Sequence, residues 1–582
     1  MNKYFINSKY KQMNNITRLI WLIAAIILLS QLISSGQNDS ILADKNKEMH
    51  HETLGDKYLP NAYNNKKVSP GYRYKSTDAL KTGSTSISTV QVNVDTNGQN
   101  IIGDAANEPN IAINPLNGNI FVIGWRQFDN VSSNFRQAGW SYSTDAGQTW
   151  TFPGTIQQGV FRSDPVLDFD AAGNFYYNSL SYDSIGNFEC WVFKSTNGGV
   201  IWDTGSYANG GDKQWMTIDR TTGIGSGNIY SFWTYIYSSC LPGFFTRSTD
   251  GGSSFESCTP IDGYPYWGTM AVGNTGELYT CGAMNNSDSL VVVKSLNVQI
   301  PASVISWYLP VLVFLDGHIR CNATVNPAGL IGQANIDVDR SNGSGQDNVY
   351  LLASVHRISN NDPGDVMFAS STDGGLTWSS PIRINDDTSA TNTQWFGTMS
   401  VAPNGRIDAI WLDTRGALTN SDSSALYYSY STDQGNTWSV NEKLSGTFDP
   451  HVGYPNQNKM GDYFDMISEN SCVHLAWANT LNGEEDVYYS CIIPPVATGI
   501  NSNPDRTEFS IYPNPTTGVF YISSGRKQYH IDIFTLFGEK VYSKTISKTI
   551  SEIDISSQPA GIYFLKIFNW DGSSVVSKIF RK

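Results

Sequence analysis

Polar and aromatic residues gather at one repeated place in this 582-residue chain, just ahead of a short apolar run. The runs are Ile111-Ala-Ile113, Leu167-Asp-Phe169, Met216-Thr-Ile218, Met270-Ala-Val272, Ile336-Asp-Val338, Met399-Ser-Val401 and Met466-Ile-Ser468. Three positions before them stand Glu108, Asp164, Lys213, Trp267, Gln333, Phe396 and Tyr463, with Asp212, Trp395 and Asp462 alongside. One position before them stand Asn110, Trp215, Thr269, Asn335, Thr398 and Asp465. If the runs surround one axis, carboxylates, an ammonium, amides and aromatic rings converge on one opening. Aromatic faces stack on sugar rings, and carboxylates and amides bind hydroxyls; such a concavity is the default ligand site. The candidate set is Glu108, Asp164, Asp212, Lys213, Trp215, Trp267, Gln333, Trp395, Asp462 and Tyr463. Asp164, Asp212 and Asp462 could also furnish a carboxylate pair for glycoside hydrolysis, which needs a separation of about 5–10 Å. The competing reading is a channel whose polar lining holds water. A second group, Trp411-Leu-Asp-Thr-Arg415, puts Asp413 and Arg415 on one strand face and reads first as a local ion pair.

The elements that must position these residues repeat with them. After each run comes a Gly/Asn turn, then a second strand such as Ile407-Asp-Ala-Ile-Trp411, then a third such as Leu426-Tyr-Tyr-Ser-Tyr-Ser431. The third strand ends in an octad: Ser143-Thr-Asp-Ala-Gly-Gln-Thr-Trp150, with further copies at Ser195–Trp202, Ser248–Phe255, Ser371–Trp378 and Ser431–Trp438. Its Ser and Asp/Asn side chains can bind backbone N–H groups and tie a turn, its Gly takes a backbone angle that a Cβ resists, and its Trp or Phe buries a large ring. The aromatic residue opens a fourth strand. Four antiparallel strands make one blade of a β-propeller, and recurrence of one unit signals a repeat architecture. Seven modules are countable. The fourth has a degenerate octad, with Ser295 and Trp307 too far apart, and the seventh stops at Tyr488-Tyr-Ser490. The strand Ser88–Val94 could complete the seventh and close the ring, removing an open edge. The count favours seven blades; six follow if module four or seven is an insertion.

Composition narrows the rest. A net charge of −14 offers no basic footprint, so no nucleic-acid partner is expected. Seven cysteines without a Cys-x-x-Cys pair argue against a zinc ribbon. Cys472 with Cys491, and Cys240 with Cys258, are candidate disulfides; Cys190, Cys281 and Cys321 leave at least one free thiol. No metal site or cofactor is called for. Asn385-Asp-Asp387 leaves Ca²⁺ open without a loop motif that demands it. Lys3, Lys9, Lys11 and Arg18, the apolar run from Leu19 and the small residues Ser34-Ser-Gly36 read as a signal peptide over 1–36, and not as a stable transmembrane anchor. Residues 37–87 read as a flexible leader, 88–493 as the propeller, 494–508 as a linker and 509–582 as a small all-β sandwich of Ig-like type.

The octads resemble the Asp-box, or bacterial neuraminidase repeat, of sialidase-type propellers. The resemblance implies that their acidic residues are structural. Sialidases hold a substrate carboxylate with three arginines and use a Tyr–Glu pair and an Asp. Their Phe/Tyr-Arg-Ile-Pro motif is absent here; Phe135-Arg136-Gln and Phe161-Arg162-Ser are poor substitutes, and no spacing forces Arg126, Arg162 and Arg415 into a triad. No catalytic residue is carried over. The tail resembles the C-terminal sorting domain of type IX secretion cargo in its Tyr512-Pro-Asn-Pro, Gly538-Glu-Lys-Val and Pro559-Ala-Gly-Ile-Tyr segments and its basic end. That resemblance implies a Bacteroidota source, type IX machinery as a partner, and a secreted or outer-surface location. The expected function is recognition of a glycan or protein ligand at the propeller mouth; the alternative is a secreted glycoside hydrolase of exo-α-sialidase type.

Overall fold

A computed structural model describes residues 53–60, 68–76, 85–285, 287–417, 421–495, 509–524, 529–536, 538–568 and 574–582. The expected signal peptide and most of the expected linker lie outside them. The chain divides into two compact units, 1–495 and 496–582.

In the first unit, seven antiparallel sheets follow one another in chain order among the described residues. Their first strands are Ala105–Ile113, Ser163–Phe169, Trp215–Ile218, Met270–Val272, Asn335–Val338, Gln394–Val401 and Asp465–Ser468, formed where the seven apolar runs stand. Later strands step outward, as in Ala105–Ile113, Phe121–Phe128, Gln137–Ser143 and Thr151–Ile156 of the first sheet. Each first strand packs on the first strand of the next sheet, and the seventh packs on the first. The result is a closed ring about an axis, the propeller arrangement.

Side chains clasp sheet to sheet along that axis. The Leu167 N–H donates to Asn110 Oδ1 at 2.8 Å, Ile218 to Asp168 at 2.8 Å and Ile336 to Thr269 Oγ1 at 3.0 Å. Val401 donates to Asp337 at 2.9 Å, Ser468 to Ser400 Oγ at 3.0 Å and Ile111 to Asp465 at 3.0 Å. These satisfy inner-strand donors that would otherwise face the channel unpaired. Among the described residues, no such clasp runs from Trp215–Ile218 to Met270–Val272, the first strands of the third and fourth sheets.

The N-terminal strand Ser86–Gln91 pairs with Asp486–Ile493 in the seventh sheet, Ser88 opposite Cys491. Arg73–Lys75 then adds outside it, and Val68–Pro70 pairs with Gln99–Ile101. Of the expected flexible leader over 37–87, the described segments 68–70, 73–75 and 86–87 are paired strands instead. The polar composition hides a few anchors: Tyr72 packs edge-on to Tyr488 at 5.6 Å, and Tyr58 sits 5.4 Å from Phe135 while donating to Asp129 at 3.1 Å. Cys240–Cys258 and Cys472–Cys491 are bonded, with Cα separations of 6.3 and 5.8 Å.

The octads form the turns their residues dictate. Ser143 Oγ donates to Asp145 at 2.8 Å and accepts from the Gly147 N–H at 2.9 Å; Asp145 accepts the Thr149 N–H at 2.9 Å. Gly147 has φ +79° and a built Cβ would sit 2.3 Å from the Tyr489 ring, so a side chain is excluded twice over. The degenerate fourth octad keeps part of this wiring across an insertion. Ser295 Oγ donates to Asn297 at 3.1 Å, and Asn297 accepts the Ser306 N–H at 2.9 Å, next to Trp307.

The second unit holds a three-stranded sheet (Phe509–Tyr512, Val519–Ser524, Ile550–Asp554) and a four-stranded one (Lys540–Ile546, Tyr529–Thr535, Gly561–Phe568, Ser574–Arg581). Alternate residues Phe520, Ile522, Ile531, Ile533, Leu565 and Ile567 from both sheets share one core, as period-two patterning requires.

Candidate functional site

The predicted ring is assembled but sealed. Glu108, Asp164, Asp212, Lys213, Trp215, Trp267, Gln333, Trp395, Asp462 and Tyr463 are all buried. The cause is local backbone geometry. An irregularity in pairing interrupts the entrance of the first strand in the first, second and sixth sheets. Glu108, Asp164, Lys213, Trp267 and Phe396 take φ of 50°, 47°, 54°, 57° and 54°. Left-handed residues at a bulge re-aim their side chains, here into the body of the ring.

Inside, the charges answer one another. Lys213 Nζ lies 2.9 Å from Asp462 and 3.8 Å from Asp212; Lys459 Nζ lies 2.7 Å from Asp462 and 3.6 Å from Glu108; Arg126 Nε lies 3.3 Å from Glu108. The Lys213 N–H donates to Asp164 at 3.1 Å, and Tyr463 donates to the Pro165 carbonyl at 2.7 Å. Trp215 and Tyr463 meet edge-on at 5.5 Å. Burial raises the Glu108 carboxyl well above its usual range, against the opposing pull of Arg126 and Lys459. Burial would raise Asp462 too, but the Lys213 and Lys459 ammoniums hold it far below. Trp395 donates to Ser424 Oγ at 3.0 Å, while the Gln333 amide has no hydrogen-bond partner among the described residues. Buried charges in such a network bind each other first.

The open concavity lies further along the same strands. A cavity of about 300 Å³ on the axis is lined from all seven first strands and the turns that follow them. Its polar lining includes Asn110, Asp168, Thr217, Arg220, Asp337, Arg340, Ser400 and Asp465, and its rings are Trp215 and Phe169. Of the ten predicted residues, only Trp215 belongs to it. Arg220 Nη1 contacts Asp168 at 2.6 Å and its guanidinium lies 4.2 Å over the Phe169 ring. Arg340 Nη1 contacts Asp337 at 2.8 Å, and its Nε donates to the Val272 carbonyl at 2.9 Å. Burial, and then the Asp168 charge, push the Asp465 carboxyl up to about 7 against the Ile111 N–H. The Asn110 Nδ2 donor is buried without a partner.

Sequence reasoning missed these arginines, though a signal was present. Asp219-Arg-Thr-Thr-Gly-Ile-Gly-Ser-Gly-Asn-Ile-Tyr230 and Asp339-Arg-Ser-Asn-Gly-Ser-Gly-Gln-Asp-Asn-Val-Tyr350 are twins. They fold alike: the Thr221 N–H binds Asp219 at 2.9 Å and the Ser341 N–H binds Asp339 at 2.8 Å. The Gly227 and Asp347 N–H groups return to the Asp219 and Asp339 carbonyls at 2.8 and 2.9 Å. Each twin delivers one arginine to the axis. Asp413 and Arg415 form the expected ion pair at 2.9 Å, extended by Asp386 at 2.5 Å. Among the described residues, no group of three or more His, Cys, Asp or Glu is arranged to hold a metal ion, Asp386 and Asp387 included.

Residues 510–582 match the family model described as a secretion system C-terminal sorting domain. The tail is thus a type IX sorting domain, which implies engagement with that machinery, and the protein is secreted or held at the outer cell surface. No helix among the described residues is long and apolar enough to cross a membrane. No curated protein matches the chain. Similar solved structures include a protein of unknown function from Dyadobacter fermentans DSM 18053, at 13% identity over 70% of this chain and 98% of that one, TM-score 0.41. A Hadza microbial sialidase, Hz136, has 13% identity over 66% and 65%, TM-score 0.32. A PL25 ulvan lyase has 11% identity over 68% and 94%, TM-score 0.36. Nothing about ligand or reaction follows from likeness at this level.

Proposed function

We propose that this is a secreted or surface-held recognition module, a seven-bladed Asp-box propeller that binds a glycan in its axial cavity, carried by an Ig-like sorting sandwich. The observation that carries the reading is the cavity of about 300 Å³, whose lining holds the Asp168–Arg220 and Asp337–Arg340 pairs together with Trp215 and Phe169. Carboxylates accept sugar hydroxyls, guanidiniums donate to them, and rings stack on the sugar face. Asp168 and Asp337 already accept backbone N–H groups and arginine, which suits fixed recognition groups.

One observation favours hydrolysis as a second reading. Asp465, raised to about 7 beside Asp168, is a carboxyl poised as a general acid near a second carboxylate. The secreted protein should be screened on a glycan array and against fluorogenic glycosides, sialosides included. Binding without turnover, weakened by Trp215→Ala, supports recognition. Turnover that vanishes in Asp465→Asn while the fold survives replaces recognition with hydrolysis. A protein that binds no glycan and turns over no glycoside defeats both.

A further inference from the structure

Among the described residues, the junction between the third and fourth sheets lacks the clasp found at the other six, and a second cavity of about 230 Å³ opens beside it. Its lining is Arg220, Thr221 and Thr222 with Thr217 and Ile218 on one side, Val272-Gly273-Asn274 at the fourth sheet, and Arg340 reaching in from the fifth. No acidic residue lines it, in a chain of net charge −14. Arg220 and Arg340 line the axial cavity as well, so the slot and the cavity share a wall.

Both guanidiniums are held in place and only partly used. Arg220 spends Nη1 on Asp168 and lies over Phe169. Arg340 spends Nη1 on Asp337 and Nε on the Val272 carbonyl. The Nε and Nη2 of Arg220 and the Nη2 of Arg340 have no partner among the described residues, and the side chains are 35% and 37% exposed. The twin turns that carry them are wired alike, so both donors are preorganised, and a preorganised pair loses little entropy on binding. Planar guanidinium forks match the oxygens of a carboxylate or sulfate.

We propose that the slot is an oxyanion subsite, taking the carboxylate or sulfate of an acidic saccharide whose ring occupies the axial cavity. The proposal rests on the glycan reading above and names its ligand class. Ordered water alone would not require two braced cations in the lining of one slot.

The test is calorimetric titration of the secreted protein with oligogalacturonate and with a sulfated galactan oligosaccharide, each beside its carboxyl-reduced or desulfated counterpart. At least one acidic oligosaccharide should bind about tenfold or more tightly than its neutral counterpart, the scale of one charged hydrogen bond. The two arms tell carboxylate from sulfate. Arg340→Gln should bring the acidic ligand to the neutral level with the melting temperature retained, and Arg340→Lys should keep part of the preference. Arg220→Gln should act likewise; if its loss of the Asp168 contact unfolds the protein, Arg340→Gln decides. Equal binding of acidic and neutral partners, or a preference that survives Arg340→Gln, overturns the subsite and leaves glycan recognition standing. If no saccharide of either kind binds, the glycan reading fails and the subsite with it.

Discussion

Replacing Asp373 in the fifth sheet's octad separates a structural acid from a catalytic one. Its carboxylate accepts four hydrogen bonds: from Ser371 Oγ at 2.8 Å, the Leu376 and Thr377 N–H groups at 3.0 and 2.9 Å, and Thr377 Oγ1 at 2.6 Å. Thr377, through hydroxyl and backbone, pulls the carboxyl down to about 2. At face value that depression corresponds to about 2.5 kcal/mol, but Asp373 is exposed, and solvent screening reduces it to about 1 kcal/mol. Losing four exposed hydrogen bonds in Asp373→Ala should cost about 2 kcal/mol. Asparagine has an internal precedent. Asn197 in the second octad accepts Ser195 Oγ at 2.9 Å and the Ile201 N–H at 3.0 Å, so Asp373→Asn should cost about 1 kcal/mol or less. The folded pKa is depressed, so the contribution is full above about pH 4 and fades as pH falls through about 2. In a unit this large 1 kcal/mol moves Tm by only about 1 °C, so urea titration at pH 7 and pH 3 is the assay. Ligand binding should be untouched, because Asp373 does not line the cavity. If Asp373→Asn costs as much as alanine, or if binding is lost at native stability, the structural account of the octad is wrong.

Three further outcomes concern groups elsewhere in the ring. Lys459→Met leaves Glu108 and Asp462 without an ammonium now 3.6 and 2.7 Å away; a loss of about 3–5 kcal/mol is expected in urea unfolding, and a neutral result would mean the cluster is hydrated. Burial, opposed by the Asn482 and Asn93 amides, raises Asp486 to about 7, and burial raises Glu485 well above its usual range. Such acids hold protons in the fold that the unfolded chain releases, so their contribution is present below about pH 4 and lost as pH rises through about 7. Stability should fall from pH 5 to pH 8, less steeply in Asp486→Asn; calorimetry showing the reverse slope would refute this. Replacing Cys240 and Cys258, 18 residues apart, with serine should cost about 3 kcal/mol, read against the wild type under oxidising and reducing conditions.

Most of the ring was legible because its signals are local. The apolar runs mark the first strands, the octads mark turns, and Ser86–Gln91 pairs with Asp486–Ile493 where an alternating strand met a module short of one. What was not legible depends on backbone angle. Nothing in the residue types at Glu108, Asp164, Lys213, Trp267 or Phe396 announces a positive φ, since these side chains usually avoid it. Without that angle, extended strands carry the same residues to the axis, and with it they are buried. Residues 53–60 and 68–76 went unread for a different reason: anchors such as Tyr58 and Tyr72 are too sparse for periodicity to detect.

Residue identity therefore decided little about the site, and unspent bonding capacity decided more. At the strand entrances acids and lysines neutralise one another, and along the axis Asn110, Asp168, Thr269, Asp337, Ser400 and Asp465 accept neighbouring N–H groups. These are the polar types one would choose for a sugar site, and closing the ring occupies part of their bonding capacity and fixes them in place. What remains is the Asn110 Nδ2 donor, the raised Asp465 carboxyl and the outer nitrogens of Arg220 and Arg340. All adjoin one cavity, and the arginines stand beside the one junction left unclasped. A ring that spends its acids on its own closure and leaves only the outer nitrogens of Arg220 and Arg340 unspent fits the proposed anion subsite better than the hydrolytic reading, and this is why the arginines should be mutated before the carboxylates.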